Sequence, residues 1–208
     1  MLDQIRLAAH AAHLEIFGVL HEGEGTIVLL GPHEPGFWAT VKGAPEFLDE
    51  AADPLDRWSK RVITAIASKF ELECSFPSDG PPYPAFISWA LASKRAWVSP
   101  VGMLVHENAG LFVSYRGALH LPFRADLPPP TPLTPCQTCS APCQSACPVN
   151  ALSETHYDVA ACKEHIRGKD SQSCQTLGCA ARRACPVSLG YNRAPEQSAF
   201  HMRAFLRD

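Results

Sequence analysis

The sequence predicts a mixed α/β chain of the α+β kind in two parts, a globular portion followed by a cysteine-rich module. Three observations predict it. Helical and strand-like hydrophobic periods alternate as far as residue 121, residues 122–135 carry six prolines, and eight of the nine cysteines lie between Cys136 and Cys185. With 208 residues, 46% of them hydrophobic, the chain can bury a core. Its 18 Lys and Arg against 21 Asp and Glu leave a formal charge of -3. That removes the broad basic surface of a non-specific nucleic-acid binder, so nucleic acid is not an expected partner. No apolar run reaches the ~18 residues of a membrane span.

Taken in order, residues 1–18 read as an amphipathic helix. Asp3 and Glu15 within them fit neither a signal nor a transit peptide, which points to the cytoplasm. Residues 26–30, TIVLL, read as a buried strand closed by Gly31-Pro32. Asp53-Pro54 opens a helix as N-cap acid and first-turn proline, and Leu55, Trp58, Val62, Ile66 and Phe70 continue it at helical spacing. Cys74 is expected as a buried thiol at the end of a short strand. Residues 75–84 form a proline-rich loop, and residues 84–95 return to a helical period.

Residues 102–106 and 111–121 then look like an antiparallel hairpin around the turn 107–110. The expected boundaries are an α/β domain over 1–121, a semi-rigid proline linker over 122–135, a cysteine module over 136–190 and a C-terminal helix within 191–208. Phe200 and Phe205 are its expected packing residues.

The cysteines carry the chemistry. The first four read Cys136-x2-Cys139-x3-Cys143-x3-Cys147-Pro148, and the others are Cys162, Cys174, Cys179 and Cys185-Pro186. Disulfides need an oxidising compartment to which nothing directs the chain. Two four-thiolate zinc sites are a second reading, since CxxC is a common zinc signature. Iron–sulfur clusters fit best, because the bacterial run C-x2-C-x2-C-x3-C-P matches the first motif with one residue added before Cys143. In that run the fourth cysteine serves the other cluster. Two motifs ending alike in Cys-Pro imply a reciprocal exchange. One [4Fe–4S] cluster is thus expected on Cys136, Cys139, Cys143 and Cys185, and a second on Cys147, Cys162, Cys174 and Cys179. Arg182 and Arg183 either offset cluster charge or are solvated helix residues.

Residues 136–186 resemble the dicluster ferredoxin module of epoxyqueuosine reductases, in which a lone cysteine and a closing Cys-Pro follow the same first motif. The spacing Cys174-x4-Cys179-x5-Cys185 is looser than that family's. Upstream, Asp79-Gly80-Pro81-Pro82 is similar to its D-x-x-P, and residues 103–121 are similar to its following strand pair. Those residues also resemble cobalamin-processing proteins and, more distantly, reductive dehalogenases. Ser99-Pro100-Val101-Gly102 stands where the reductases carry a glycine-lysine segment, and their helical-repeat tail for tRNA has no counterpart. The resemblance is to a reduced relative. It implies a nitroreductase-like sandwich over the first part, bound cobalamin as a possible further cofactor, and a redox partner protein.

Under that resemblance Asp79 is the candidate proton donor beside a corrinoid. Its other reading is a turn cap through the Gly80-Pro81 backbone. Tyr115 and Arg116 either line a ligand pocket, Arg116 gripping a carboxamide or phosphate, or lie on a strand surface. His106 and His120 are assigned to no metal.

Overall fold

The computed structural model describes residues 1–168 and 172–207. In chain order the elements begin α1 (Leu2–Ala11), β1 (Leu14–Glu22), β2 (Gly25–Pro32), α2 (Phe37–Lys42), α3 (Pro45–Leu48), α4 (Pro54–Lys69), β3 (Glu73–Ser75) and α5 (Phe86–Ala92). They continue β4 (Ala96–Val98), β5 (Leu104–His106), β6 (Gly117–Leu121), α6 (Val159–Arg167), α7 (Gln172–Leu177), α8 (Ala180–Ala184), α9 (Pro186–Gly190) and α10 (Pro195–Phe205). The α+β expectation holds: helices accompany two antiparallel sheets, one ordered β1-β2-β6-β3 and one formed by β4 and β5. Among the described residues no helix is long and apolar enough to cross a membrane.

Two compact units divide the chain. The first comprises residues 1–95 and 114–131, the second residues 96–113 and 132–208. The observed division therefore differs from a break at residue 121, and two sets of hydrogen bonds explain it.

Residues 122–131 do not stand off as a spacer. Thr26 Oγ1 donates to the Phe123 carbonyl (2.8 Å) and accepts from the Ala125 amide (2.9 Å). His21 Nε2 donates to the Ala125 carbonyl, and Arg95 donates to the Pro129 carbonyl. Residues 96–113 are tied to the cysteine region instead. The Leu111 amide donates to Ser188 Oγ (2.9 Å), and Arg182 Nη1 donates to the Leu111 carbonyl (2.9 Å). Arg193 donates to the Phe112 carbonyl and lies over the Phe112 ring at 5.2 Å.

In the first unit the core gathers Ile5 of α1, Leu14 and Phe17 of β1, Ile27 and Leu29 of β2, Ile63 of α4 and Leu119 of β6. The helical period expected through residue 18 stops at Ala11. His13 takes a left-handed conformation (φ 53), and the chain enters β1, whose Phe17, Val19 and Leu20 are buried. Gly31 is required where β2 meets β1: a Cβ there would lie 2.2 Å from the Phe17 ring. Helix α4 appears over its expected span. Its buried face uses Ile63 in place of Val62, and Asp53, also left-handed (φ 51), makes no side-chain cap.

The hairpin expected over 102–121 does not form. β5 pairs with β4, while β6 starts only at Gly117 and lies between β2 and β3. Residues 106–110 close a tight turn in which the Asn108 and Ala109 amides donate to His106 Nδ1, and this ends the β5 pairing. Cys74 sits mid-strand in β3 and is half-buried rather than buried. Phe200 and Phe205 are likewise half-buried, and the buried residues of α10 are Gln197, Ser198 and Ala199.

The second unit has a core of Val101, Val105, Leu111, Cys143, Ala181 and Cys185. Gly110, at φ 57, meets Ser188 so closely that any Cβ would fall 2.5 Å from its amide nitrogen. That close approach seats the 106–113 turn on the start of α9.

Candidate metal centres

All nine cysteines are free thiols. Eight of them belong to the second unit. Cys136, Cys139 and Cys143 come from an irregular loop that tightens into a single 3-10 turn at Pro142–Gln144, entered through left-handed Ala141 (φ 53). Cys185 arrives from elsewhere, at the junction of α8 and α9. Its extended backbone (φ -67, ψ 123) ends one helix, and Pro186 opens the next.

These four cysteines line one cavity of about 390 Å³, whose walls include Pro100, Val105 and Leu111. Cys143 and Cys185 are 6% and 7% exposed. Burial pushes the Cys136 and Cys143 thiols above their ordinary range, and the neighbouring Cys185 and Cys139 sulfurs push the same way. The Ala141 amide donates to Cys139 Sγ at 3.4 Å.

The other four form a second group. The Cys162 thiol is raised first by burial and then by the sulfurs of Cys179, Cys147 and Cys174, against a lowering hydrogen bond from Tyr157. The Ala151 amide donates to the Cys147 sulfur at 3.3 Å. Cys162 rides the first turns of α6, which Asp158 caps through the Ala161 amide (2.9 Å). Cys174 is buried in α7, and Cys179 follows Gly178 (φ 87) at the start of α8. Tyr157 donates its hydroxyl to Cys162 Sγ at 3.3 Å and stacks on Phe205 with ring centroids 6.2 Å apart.

Zinc at ~2.3 Å from four sulfurs holds them ~3.8 Å apart. Among the described residues, no three of these sulfurs lie within 4.8 Å of one another.

The remaining sequence-derived candidates lie in the first unit. Asp79 is a turn residue, as one reading held, but its bond goes elsewhere. Its Oδ2 accepts from the Phe76 amide (2.9 Å), and its Oδ1 pairs with Lys60 Nζ (2.8 Å). Tyr115 and Arg116 lie not on a strand but in the irregular stretch just before β6.

Tyr115 is 8% exposed and edge-on to Phe17, and its buried hydroxyl has no hydrogen-bond partner among the described residues. Burial pushes that phenol well above its usual range. Burial lowers the Arg116 guanidinium, and Asp56, 3.5 Å away, opposes the shift. No hydrogen bond or ion pair joins Asp79 to Tyr115 or Arg116 among the described residues.

Arg182 and Arg183 donate to the Leu111 and Gly178 carbonyls, so both are tied to backbone. Sequence reading missed Tyr157 and the amides of Ala141 and Ala151. Only Tyr157, five residues before a cysteine, left any signal. Comparison with protein-family models, with curated proteins and with solved structures returns no match.

Proposed function

We propose that this chain is a cytoplasmic iron–sulfur protein that holds two [4Fe–4S] clusters and passes electrons to a partner. Cys136, Cys139, Cys143 and Cys185 would hold one cluster, and Cys147, Cys162, Cys174 and Cys179 the other. The observation that carries this reading is the meeting of Cys185 with the first three thiols around one cavity, although 41 residues separate it from Cys143. When bound, each cluster supplies one-electron redox chemistry. The chain supplies soft ligands, N–H and O–H donors aimed at sulfur, and the apolar walls of Val105 and Leu111 that keep water from the first site.

On the same reading the second unit is a dicluster ferredoxin module and the first is nitroreductase-like. The unpartnered Tyr115 hydroxyl favours a ligand in the first unit, and a corrinoid is the one the sequence resemblance implies. Asp79 is a weaker candidate for proton donation, because an amide and an ammonium already occupy its two oxygens.

Anaerobic purification with iron analysis tests the proposal. The expected result is about eight irons per chain and broad absorption near ~400 nm. Cys185→Ser is expected to lower iron and alter the signal of the first cluster alone. A colourless protein with two zinc ions would overturn the proposal, and unchanged iron and spectra in the variant would overturn the crossed ligand set. Cobalamin added to the same sample separates a corrinoid enzyme, through saturable shifts of the corrinoid bands, from a carrier that serves a partner.

A further inference from the structure

Away from the thiols, one group of donors converges in the first unit. His10 stands in the last turn of α1, Glu15 near the start of β1, and His33 one residue past β2. Among the described residues, theirs is the one set of three His, Cys, Asp or Glu donor atoms that lie mutually within 4.8 Å. His10 Nε2 is 2.7 Å from Glu15 Oε2, and the two imidazole centroids are 4.4 Å apart.

The positions are held by backbone. Glu15 lies opposite Gly31 in the β1–β2 register, and the His33 amide donates to the His13 carbonyl at 2.9 Å. The carboxylate is also oriented from behind. Its Oε1 accepts from the Ile16 amide at 2.8 Å and lies 3.7 Å from Arg6 Nε. Oε2 is left to face the imidazoles, the arrangement in which outer hydrogen bonds aim a ligating carboxylate.

The geometry points to a divalent metal site of the zinc class formed by His10, Glu15 and His33. Two imidazoles and one carboxylate suit borderline transition ions rather than calcium or magnesium, which prefer all-oxygen shells. Three protein donors leave a fourth position for water or a small ligand, as zinc sites that do chemistry do. A divalent ion would take the place of the hydrogen bond between His10 Nε2 and Glu15 Oε2. All three residues are half-buried, within reach of ions from solvent. Arg6 opposes the cation, and its removal should tighten binding.

The test uses full-length protein with its iron measured, dialysed against zinc under a competing chelator. Wild type is expected to take up one zinc beyond its iron without iron loss, with ring nitrogen shifts at His10 and His33. His33→Ala and Glu15→Gln should each weaken uptake more than ~100-fold, whereas Cys74→Ser should leave it unchanged and Arg6→Gln should raise affinity. Glu15→Gln guards against misfolding, because its amide oxygen can still accept from Ile16. Zinc should raise the thermal midpoint of wild type and not of this variant. Zinc uptake that persists in both site variants, or that displaces iron, would place the ion on thiols and overturn the site. Absence of any uptake beyond iron would overturn it equally. Iron content reports on the thiol clusters independently.

Discussion

At the residue scale, Tyr157 shows how a single exposed hydroxyl can bear on the chemistry of a thiol. Its hydroxyl donates to Cys162 Sγ, and its ring is held flat against Phe205. Hydrogen bonds to ligand sulfur withdraw electron density and raise a cluster's reduction potential. Tyr157→Phe keeps the stack and removes the donor. On the proposed two-cluster reading, the expected outcome is a lower potential for the second cluster by roughly 40 mV, the one-electron equivalent of about 1 kcal/mol. A potentiometric titration followed by electron paramagnetic resonance checks it, with the first cluster as internal reference. Asp79 illustrates the opposite case. The sequence placed a carboxylate where a resemblance supplied a role, and the fold spends both oxygens on Phe76 and Lys60.

At the element scale, periodicity was legible wherever burial had one face. Leu55, Trp58 and Ile66 mark α4 in sequence and are buried in it. The stretch TIVLL lies within β2, where it is buried throughout. Residues 1–18 failed because apolar spacing alone does not register the left-handed His13 that separates α1 from β1. The β1–β2 pair depends on Gly31, which leaves room for the Phe17 ring. Gly31→Ala is expected to cost about 1–3 kcal/mol, the range for overpacking a closed core. Chemical denaturation checks this, and an unchanged midpoint would mean that β1 and Phe17 shift freely.

At the scale of the whole molecule, the two units differ in what holds them. The first has a four-stranded sheet over a hydrocarbon core, whereas the second has a two-stranded sheet, short helices and eight cysteines. Metal binding and folding are coupled where a site closes a small core. On the proposed iron–sulfur reading, chelating the iron is therefore expected to loosen the second unit first. In hydrogen exchange, amides of β1, β2 and β6 should stay protected while those around Cys143 and Leu111 exchange. Equal loss in both units would show that the first depends on the second.

The sequence by itself determined the thiol count, the paired Cys-Pro endings that prompt a crossed ligand set, the α+β character, and the existence of β2 and α4. Each is a local property: spacing, composition or the period of one buried face. Only the tertiary structure decided that β6 pairs with β2 and β3, that residues 96–113 join the cysteine unit, and that His10, Glu15 and His33 meet. A buried face says that an element has a partner without saying which one. Thr26 faces Leu121 across the sheet, and His33 reaches His10 from the far end of a strand pair. Such meetings follow from the packing of the whole chain, and no local pattern encodes them.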